Sequence, residues 1–498
     1  MKQPQDDTYM LRTTLLLGGG TGFYKIYDSL SGFERFLMMT GTTGVLTIGG
    51  LYAWDRYSKY GRDQKKRIDQ IKTIPPCLLQ KRTDGVLMGY DPDLRIPIFL
   101  PDFIRSRHVH LMGATGSGKT ESVILSFLGQ DVARGLGSII LDAKGDASFL
   151  TELKRILPEH RLKIFDLGDP ESLGYDPLEV GSPLEAAQRL FSSLTWSEEY
   201  YKSKALSTLQ RIFQKHFEKH KCNPMLIQLV DYLETLDGYT SVTSSEKYTR
   251  KMAEADFQDL SGLRDQVKSL CIGHLSDTLS PFQSEKVNLR DAESGTVIYF
   301  RLQSLLSPQL VSILGKLLIN HLGYLAGSSH RVSDSGQAGR AFVPVYLDEF
   351  ASFACPEFAD LISKARSAGY ALHFSHQSVG DLAEVSKGFL NQITDNSATK
   401  IIMRINDPDS AEFFARSFGT KLYQKITQRI TNTKEIDTAE VIGEGSSREA
   451  HQFRAPPDLF KTLPTGMGSV LIAHGEHTSQ GGSHVFKIKF PQLSRKEK

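Results

Sequence analysis

Gly113-Ala-Thr-Gly-Ser-Gly-Lys-Thr120 fits the pattern G-x-x-x-x-G-K-[ST] at every position, and its flanks give it a fold. An apolar, extended run (Val109, Leu111, Met112) leads in, and a helix-compatible run from Glu121 to Leu128 leads out. Strand, glycine-rich loop and helix make the context in which this pattern cradles phosphates. Gly113, Gly116 and Gly118 let the loop's backbone N–H groups turn toward phosphate oxygens, with Ala114, Thr115 and Ser117 between them, and the helix N-terminus adds partial positive charge. Lys119 is placed to reach the β- and γ-phosphates, and Thr120 to hold Mg²⁺ through its hydroxyl. The bland alternative, a chance glycine-rich turn before a helix, does not account for the flanks. The chain reads as a binder of a nucleoside triphosphate.

Outward from this loop the text alternates between strand and helix. Gly137-Ser-Ile-Ile-Leu-Asp142 is a short apolar run ending in a carboxylate, Leu162 to Leu167 is a second, and Gly295-Thr-Val-Ile-Tyr-Phe300 a third. Short apolar strands between helices predict a doubly wound α/β sheet. Between about Ser182 and Pro281 the rhythm stops, and a Leu-, Lys-, Glu- and Gln-rich segment reads as an inserted all-helical domain. The resulting division is 1–54, 55–104, 105–181, 182–285 and 286–498, with 55–104 a basic linker and small β-rich lead-in.

A second half-site lies downstream. Val343-Pro-Val-Tyr-Leu-Asp-Glu-Phe350 is an apolar strand ending in two carboxylates. Asp348 is positioned to hold Mg²⁺ through water, and Glu349 to polarise the attacking water. Many helices also begin with Asp-Glu, so this reading draws its weight from the phosphate loop upstream. Tyr370 to Gln377 reads as the next strand, with Gln377 in reach of the γ-phosphate or its water; an ordinary polar strand end is the alternative.

With 498 residues the chain exceeds one ordinary domain, and its net charge of +2 gives no whole-chain attraction for nucleic acid. Cys77, Cys222, Cys271 and Cys355 are far apart with no C-x-x-C pair, which reads as reduced thiols in a cytosolic body. His108 and His110 alternate on the strand that feeds the loop and read as structural rather than as metal ligands. At the front, Phe36 to Trp54 is an uncharged run long enough to span about 30 Å of hydrocarbon. Arg56, Lys59, Arg62, Lys65, Lys66 and Arg67 follow it, which orients the rest of the chain toward the cytoplasm. Thr13 to Tyr24 is apolar but short, either a weak first span or an interfacial segment.

Taken together the motifs resemble the type IV secretion coupling proteins of the VirD4/TraD family, within the RecA-like group that includes FtsK and HerA. The resembling text is the phosphate loop, Leu141-Asp-Ala-Lys-Gly-Asp146, Tyr175-Asp-Pro-Leu178, Leu347-Asp-Glu-Phe350, Lys364-Ala-Arg-Ser-Ala-Gly369, Ser375-His-Gln-Ser378 and Asn396-Ser-Ala-Thr-Lys400. The resemblance implies a RecA-like ATPase that uses ATP and Mg²⁺, assembles as a homo-hexamer and sits in the bacterial inner membrane. It further implies delivery of a relaxase joined to single-stranded DNA, or of secreted proteins, to a type IV secretion channel. On this basis alone Arg366 is an arginine finger acting on a neighbour's ATP, and Lys144 lies near the nucleotide. Two other readings stand beside the motor: a receptor in which nucleotide only switches assembly, and a double-stranded DNA translocase like FtsK or HerA. Glu349 and Gln377 weigh against the first, and the helical insertion with the Asp-x-Lys-Gly-Asp text weighs against the second.

Overall fold

In the computed structural model the described residues are 74–491, apart from 245–247, 283–284, 306, 333–340, 432–439 and 475–481. The segments expected to meet a membrane, Thr13–Tyr24 and Phe36–Trp54, lie outside them.

Among the described residues thirteen strands follow in chain order: β1 (Gly85–Tyr90), β2 (Pro97–Pro101), β3 (Val109–Met112), β4 (Ser138–Asp142), β5 (Leu162–Asp166), β6 (Val297–Arg301) and β7 (Val343–Asp348) come first. Then come β8 (Tyr370–His376), β9 (Thr399–Ile402), β10 (Thr420–Thr431), β11 (Glu440–Phe453), β12 (Met467–His474) and β13 (Gly482–Lys489). Eleven of them form one sheet in the order β2-β1-β13-β12-β9-β3-β8-β7-β4-β6-β5. The run from β9 to β5 is parallel, while β12, β13, β1 and β2 extend it antiparallel at one edge. Every residue of β3, β4, β7, β8 and β9 is buried, as expected of parallel strands covered by helices on both faces. This is the α/β fold of P-loop NTPases.

Register decides where the chemistry can be. Met112 of β3 lies level with His376 of β8, and Asp142 of β4 level with Asp348 of β7. The carboxyl ends of these strands therefore form one rim, where ligands of open α/β sheets bind. β8 separates the loop strand β3 from β7, so Gln377 emerges between the phosphate loop and the Asp-Glu pair.

Between β5 and β6 the described chain is helical: Pro183–Ser193, Glu199–His220, Leu226–Glu234, Leu236–Thr243, Arg250–Gln258, Ser261–Ser269 and Leu275–Thr278. Ser182 opens the first helix with a reciprocal cap to Glu185 and Pro183 at the first turn, a strong start signal. One continuous apolar core joins these helices (Leu190, Leu209, Phe213) to the sheet (Leu347) through the long helix Pro308–Val332 (Leu314, Leu318). Pro308–Ser329 is long and apolar enough to cross a membrane, yet its side chains are spent on this core. Gly315 lets it press against Phe353, since a Cβ there would stand 2.4 Å from the Phe353 Cβ.

Behind the phosphate loop, charges are buried as a closed network. Arg105, fully buried before β3, donates from Nη1 to Asp131 Oδ1 (2.7 Å) and from Nη2 to the Tyr346 hydroxyl (2.7 Å). Its Nε donates to His373 Nε2 (2.9 Å), which leaves that imidazole's proton on Nδ1, facing the Val345 carbonyl. Tyr346 in turn donates to Asp131 Oδ2 (2.6 Å), and Arg134 bridges Asp131 to Asp102. The network pins the far end of the loop helix Leu125–Ala133 to β7 and β8. Asp131→Ala leaves Arg105 buried without its counter-charge and is expected to cost about 3–5 kcal/mol, read from urea unfolding. A loss below about 1 kcal/mol would show that the network is incidental to stability.

Candidate nucleotide-binding site

The phosphate loop turns as its glycines allow. Gly116 and Gly118 have φ of 73° and 98°, in the left-handed region, and a Cβ on Gly118 would also meet Ser122 Oγ at 2.9 Å. Lys119–Ile124 then winds as a wide π-turn before the α-helix Leu125–Ala133, a geometry enriched at functional sites. Lys119 is buried, and its Nζ donates to the Gly113 carbonyl at 2.6 Å, which leaves donor capacity on an ammonium enclosed by the loop. Burial lowers its pKa, opposed by the charges of Glu349 and Asp348.

Five other expected residues meet there. Thr120 Oγ1 donates to Asp348 Oδ2 at 2.7 Å, joining the loop to β7. Gln377 receives a hydrogen bond from Thr115 Oγ1 at 2.9 Å and donates from Nε2 to both Glu349 oxygens, at 3.0 and 3.1 Å. A chain of side chains thus runs from the phosphate loop through the end of β8 to Glu349. Glu349 holds a positive φ of 50°, strained for a side-chain-bearing residue and characteristic of functional sites. Burial pushes its carboxyl above the ordinary range, partly offset by the Lys119 ammonium.

Arg366 is elsewhere. It is exposed on the turn Ala365–Ala368 that precedes β8, at the opposite end of that strand from Gln377. Seven strand residues separate the two ends by about 20 Å, so Arg366 cannot serve the nucleotide of its own chain.

The Asp142-to-Asp146 turn is explained by Asp142. Its carboxylate accepts the N–H groups of Lys144 (2.9 Å), Gly145 (2.9 Å) and Asp146 (3.2 Å), and the Tyr299 hydroxyl (2.8 Å). Gly145 takes φ 68°, and its carbonyl accepts from Arg301 Nε at 2.9 Å. The turn presents Lys144, ion-paired with Asp146 at 3.3 Å, close enough for its charge to act on Lys119 and Glu349.

A family model described as the TraM recognition site of TraD and TraG matches residues 343–461. The type 4 coupling protein DotL of Legionella pneumophila is 23% identical, over 73% of this chain and 55% of the relative. The chain spans about half the length of that curated relative. The unbound bacterial conjugative coupling protein TrwBdeltaN70 matches with a TM-score of 0.60 at 15% identity, covering 84% of this chain and 90% of that one. The chain is thus similar, in sequence and in fold, to coupling proteins of type IV secretion.

TrwB in complex with the ATP analogue ADPNP gives a TM-score of 0.59 at 15% identity, covering 84% of this chain and 91% of that one. VirB4 of Thermoanaerobacter pseudethanolicus gives 0.54 at 16%, covering 82% and 97%. At such identities these likenesses are of fold.

Several residues of the site carried no role in the sequence reading. Ser375 donates to Asp348 Oδ1 and receives the Glu349 N–H at 3.3 Å, holding the carboxylate pair from β8. His376 Nδ1 donates to the Ser378 carbonyl at 2.8 Å, so its Nε2 accepts from His110 Nε2–H at 2.6 Å, and both buried rings are neutral. The phosphate loop is braced from behind by two later segments. Ala114 N donates to Arg404 O (2.7 Å), Gly466 N to Ser117 O (3.0 Å), and Thr465 Oγ1 to Gly116 O (3.3 Å). Ser375 sits in a stretch that the family resemblance marks, whereas the braces are contacts between distant segments with no local signal.

Proposed function

We propose that this chain is an ATP-hydrolysing motor that couples a relaxase–single-stranded DNA complex to a type IV secretion channel. The observation that carries the reading is the continuous link Thr115–Gln377–Glu349 beside the Thr120–Asp348 contact. Together they set a metal-holding pair and a water-polarising carboxylate at the mouth of the phosphate loop. Backbone N–H groups of residues 113–118 and Lys119 would hold the phosphates of ATP, and Thr120 with Asp348 the Mg²⁺. Glu349 would polarise water that Gln377 orients. TrwB has been captured with ADPNP and with ADP and Mg²⁺, which supports the same ligands here.

Arg366, unable to reach its own chain's nucleotide, fits a finger offered to a neighbour in a homo-hexamer. Residues 1–54 would anchor the assembly in the bacterial inner membrane, with the rest in the cytoplasm. The match of residues 343–461 to a TraM recognition site supports docking of an accessory protein on this half of the motor domain. Protein cargo without DNA is the second reading, favoured by the large helical insertion, whose exposed Leu184, Tyr200, Tyr201 and Met252 offer contact surface.

ATP hydrolysis by the purified chain, with and without single-stranded DNA, tests the proposal. Turnover that rises with DNA is expected. Turnover indifferent to DNA in an assembled ring would shift the cargo to protein, and absence of hydrolysis under any condition would leave only the switch receptor.

A further inference from the structure

Asp348 closes β7, and the register brings one residue of each neighbouring strand level with it. On one side lies Asp142 of β4. On the other, the pairing of Leu347 with Phe374 carries on to set Ser375 of β8 beside Asp348. Level residues of paired strands share a face, so the three side chains stand in one row. Asp142 spends its carboxylate on its own turn and on Tyr299, and its charge repels that of Asp348. Ser375 is the neighbour in this row with a proton to give.

The Ser375 hydroxyl is fully committed. The residue is 1% exposed, so water does not compete for it. Its Oγ donates to Asp348 Oδ1 and accepts the Glu349 N–H at 3.3 Å, and that same N–H also reaches Asp348 Oδ1 at 3.1 Å. Oδ1 is thereby held by the protein from two directions. Oδ2 is left facing the phosphate loop, where Thr120 Oγ1 donates to it at 2.7 Å. The shared N–H belongs to the residue with a φ of 50°, so the hydroxyl also ties down the backbone from which the Glu349 side chain departs.

We infer that Ser375 is a positioning residue that makes this site selective for Mg²⁺, its hydroxyl fixing the plane of the Asp348 carboxylate and so the direction in which Oδ2 is offered. The inference rests on the ATP-and-Mg²⁺ reading above and deepens it. The donors at the loop mouth, the Thr120 hydroxyl and the Asp348 carboxylate, are all oxygen, which suits a hard divalent cation. Mg²⁺ holds its ligands and waters in a rigid octahedron, whereas Ca²⁺ accepts irregular geometry and bidentate carboxylates. A carboxylate locked in one plane therefore matters more to Mg²⁺ than to Ca²⁺. Without the hydroxyl, Asp348 Oδ1 keeps only the Glu349 N–H, about which the carboxylate can turn to present either oxygen or both. Groups that hold a metal's ligands in place commonly set its affinity by about 10- to 100-fold.

Binding of a fluorescent ATP analogue to the full chain, followed in EDTA and across Mg²⁺ and Ca²⁺ titrations, tests the inference with Ser375→Ala. Metal-free affinity is expected to stay within about twofold, because the backbone cradle and Lys119 are untouched. The Mg²⁺ concentration for half-maximal effect is expected to rise about tenfold, and that for Ca²⁺ by less than about threefold. Ser375→Cys keeps nearly the same size with a weaker donor, and its Mg²⁺ midpoint is expected between those of the alanine variant and the unaltered chain. Urea unfolding shows whether each variant is folded, and the cysteine variant carries the comparison if the alanine variant is not. A purely structural role would shift both cations alike or weaken metal-free binding as well, and either pattern overturns the inference. A Mg²⁺ midpoint within about twofold of the unaltered chain also overturns it and leaves the ATP-and-Mg²⁺ reading standing. If Mg²⁺ has no effect on nucleotide binding by the unaltered chain, that reading falls and the inference with it.

Discussion

Glu349→Gln is expected to lower ATP turnover by about 10²- to 10⁴-fold while ATP still binds. The substitution keeps the shape and the Gln377 contact partner but removes the charge that polarises water. The direct contacts of the phosphate loop remain, because Lys119 is held by the Gly113 carbonyl at 2.6 Å and Thr120 by Asp348 at 2.7 Å. Lys119→Ala should behave differently and lose affinity itself, since it removes the buried ammonium from the cradle. The pair of variants separates chemistry from binding. Glu349→Gln turnover within a factor of about three of the unaltered chain would remove Glu349 from the mechanism and return the choice to Gln377 or to a residue from a neighbour.

The second large effect is a loss of stability in mild acid, carried by histidines. His108 and His376 are pushed down by burial to about 4, and His110, His321 and His373 fall well below the ordinary value for the same reason. In the unfolded chain each takes up a proton near pH 6.5, while the folded chain refuses it until much lower pH. The stability these groups contribute is present above pH 6.5 and is lost as pH falls toward 4. Asp176, pushed up by burial to about 6, works in the opposite direction and cancels about one proton. Because these buried histidines outnumber the carboxyl that opposes them, unfolding in mild acid should take up protons and stability should fall as pH drops below 6.5. Against a total stability of about 5–15 kcal/mol, the loss of even a few such contributions is a large fraction of the whole. Urea unfolding at pH 7, 6 and 5.5 checks it, and a midpoint that stays level across that range would contradict it.

The nucleotide half of the molecule was legible because its signals are local. The loop Gly113–Thr120, the carboxylate-ended strand before Glu349 and the polar end at Gln377 each announce themselves within eight residues, and the sheet order then brings them together. The Asp142 turn was legible as text but not as mechanism, because its logic is a carboxylate collecting three N–H groups and a hydroxyl from β6. The edge strands β12 and β13 and the separate pair β10 and β11 went unread, whereas β1 and β2 fall in the stretch read as a β-rich lead-in. In Lys421 to Thr431 the aliphatic residues Leu422, Ile426 and Ile430 recur at every fourth position rather than every second, so no strand alternation marks the stretch. Arg366 shows the same limit from the other side. Its sequence setting is an ordinary helix-surface cation, and only the direction of β8 reveals which end of the sheet it occupies.

That direction has a geometric consequence. β8 is buried along all seven residues and clamped between β3 and β7, so it can neither kink nor slip a register without turning its apolar side chains over. It acts as a ruler of fixed length between the basic corner at one end of the sheet and the amide that touches Glu349 at the other. An inserted pair of residues would lengthen it by about 6.6 Å, more than any side chain could absorb. Loops around the domain can gain or lose residues freely, but the spacing between these two ends is set by a strand whose length cannot drift.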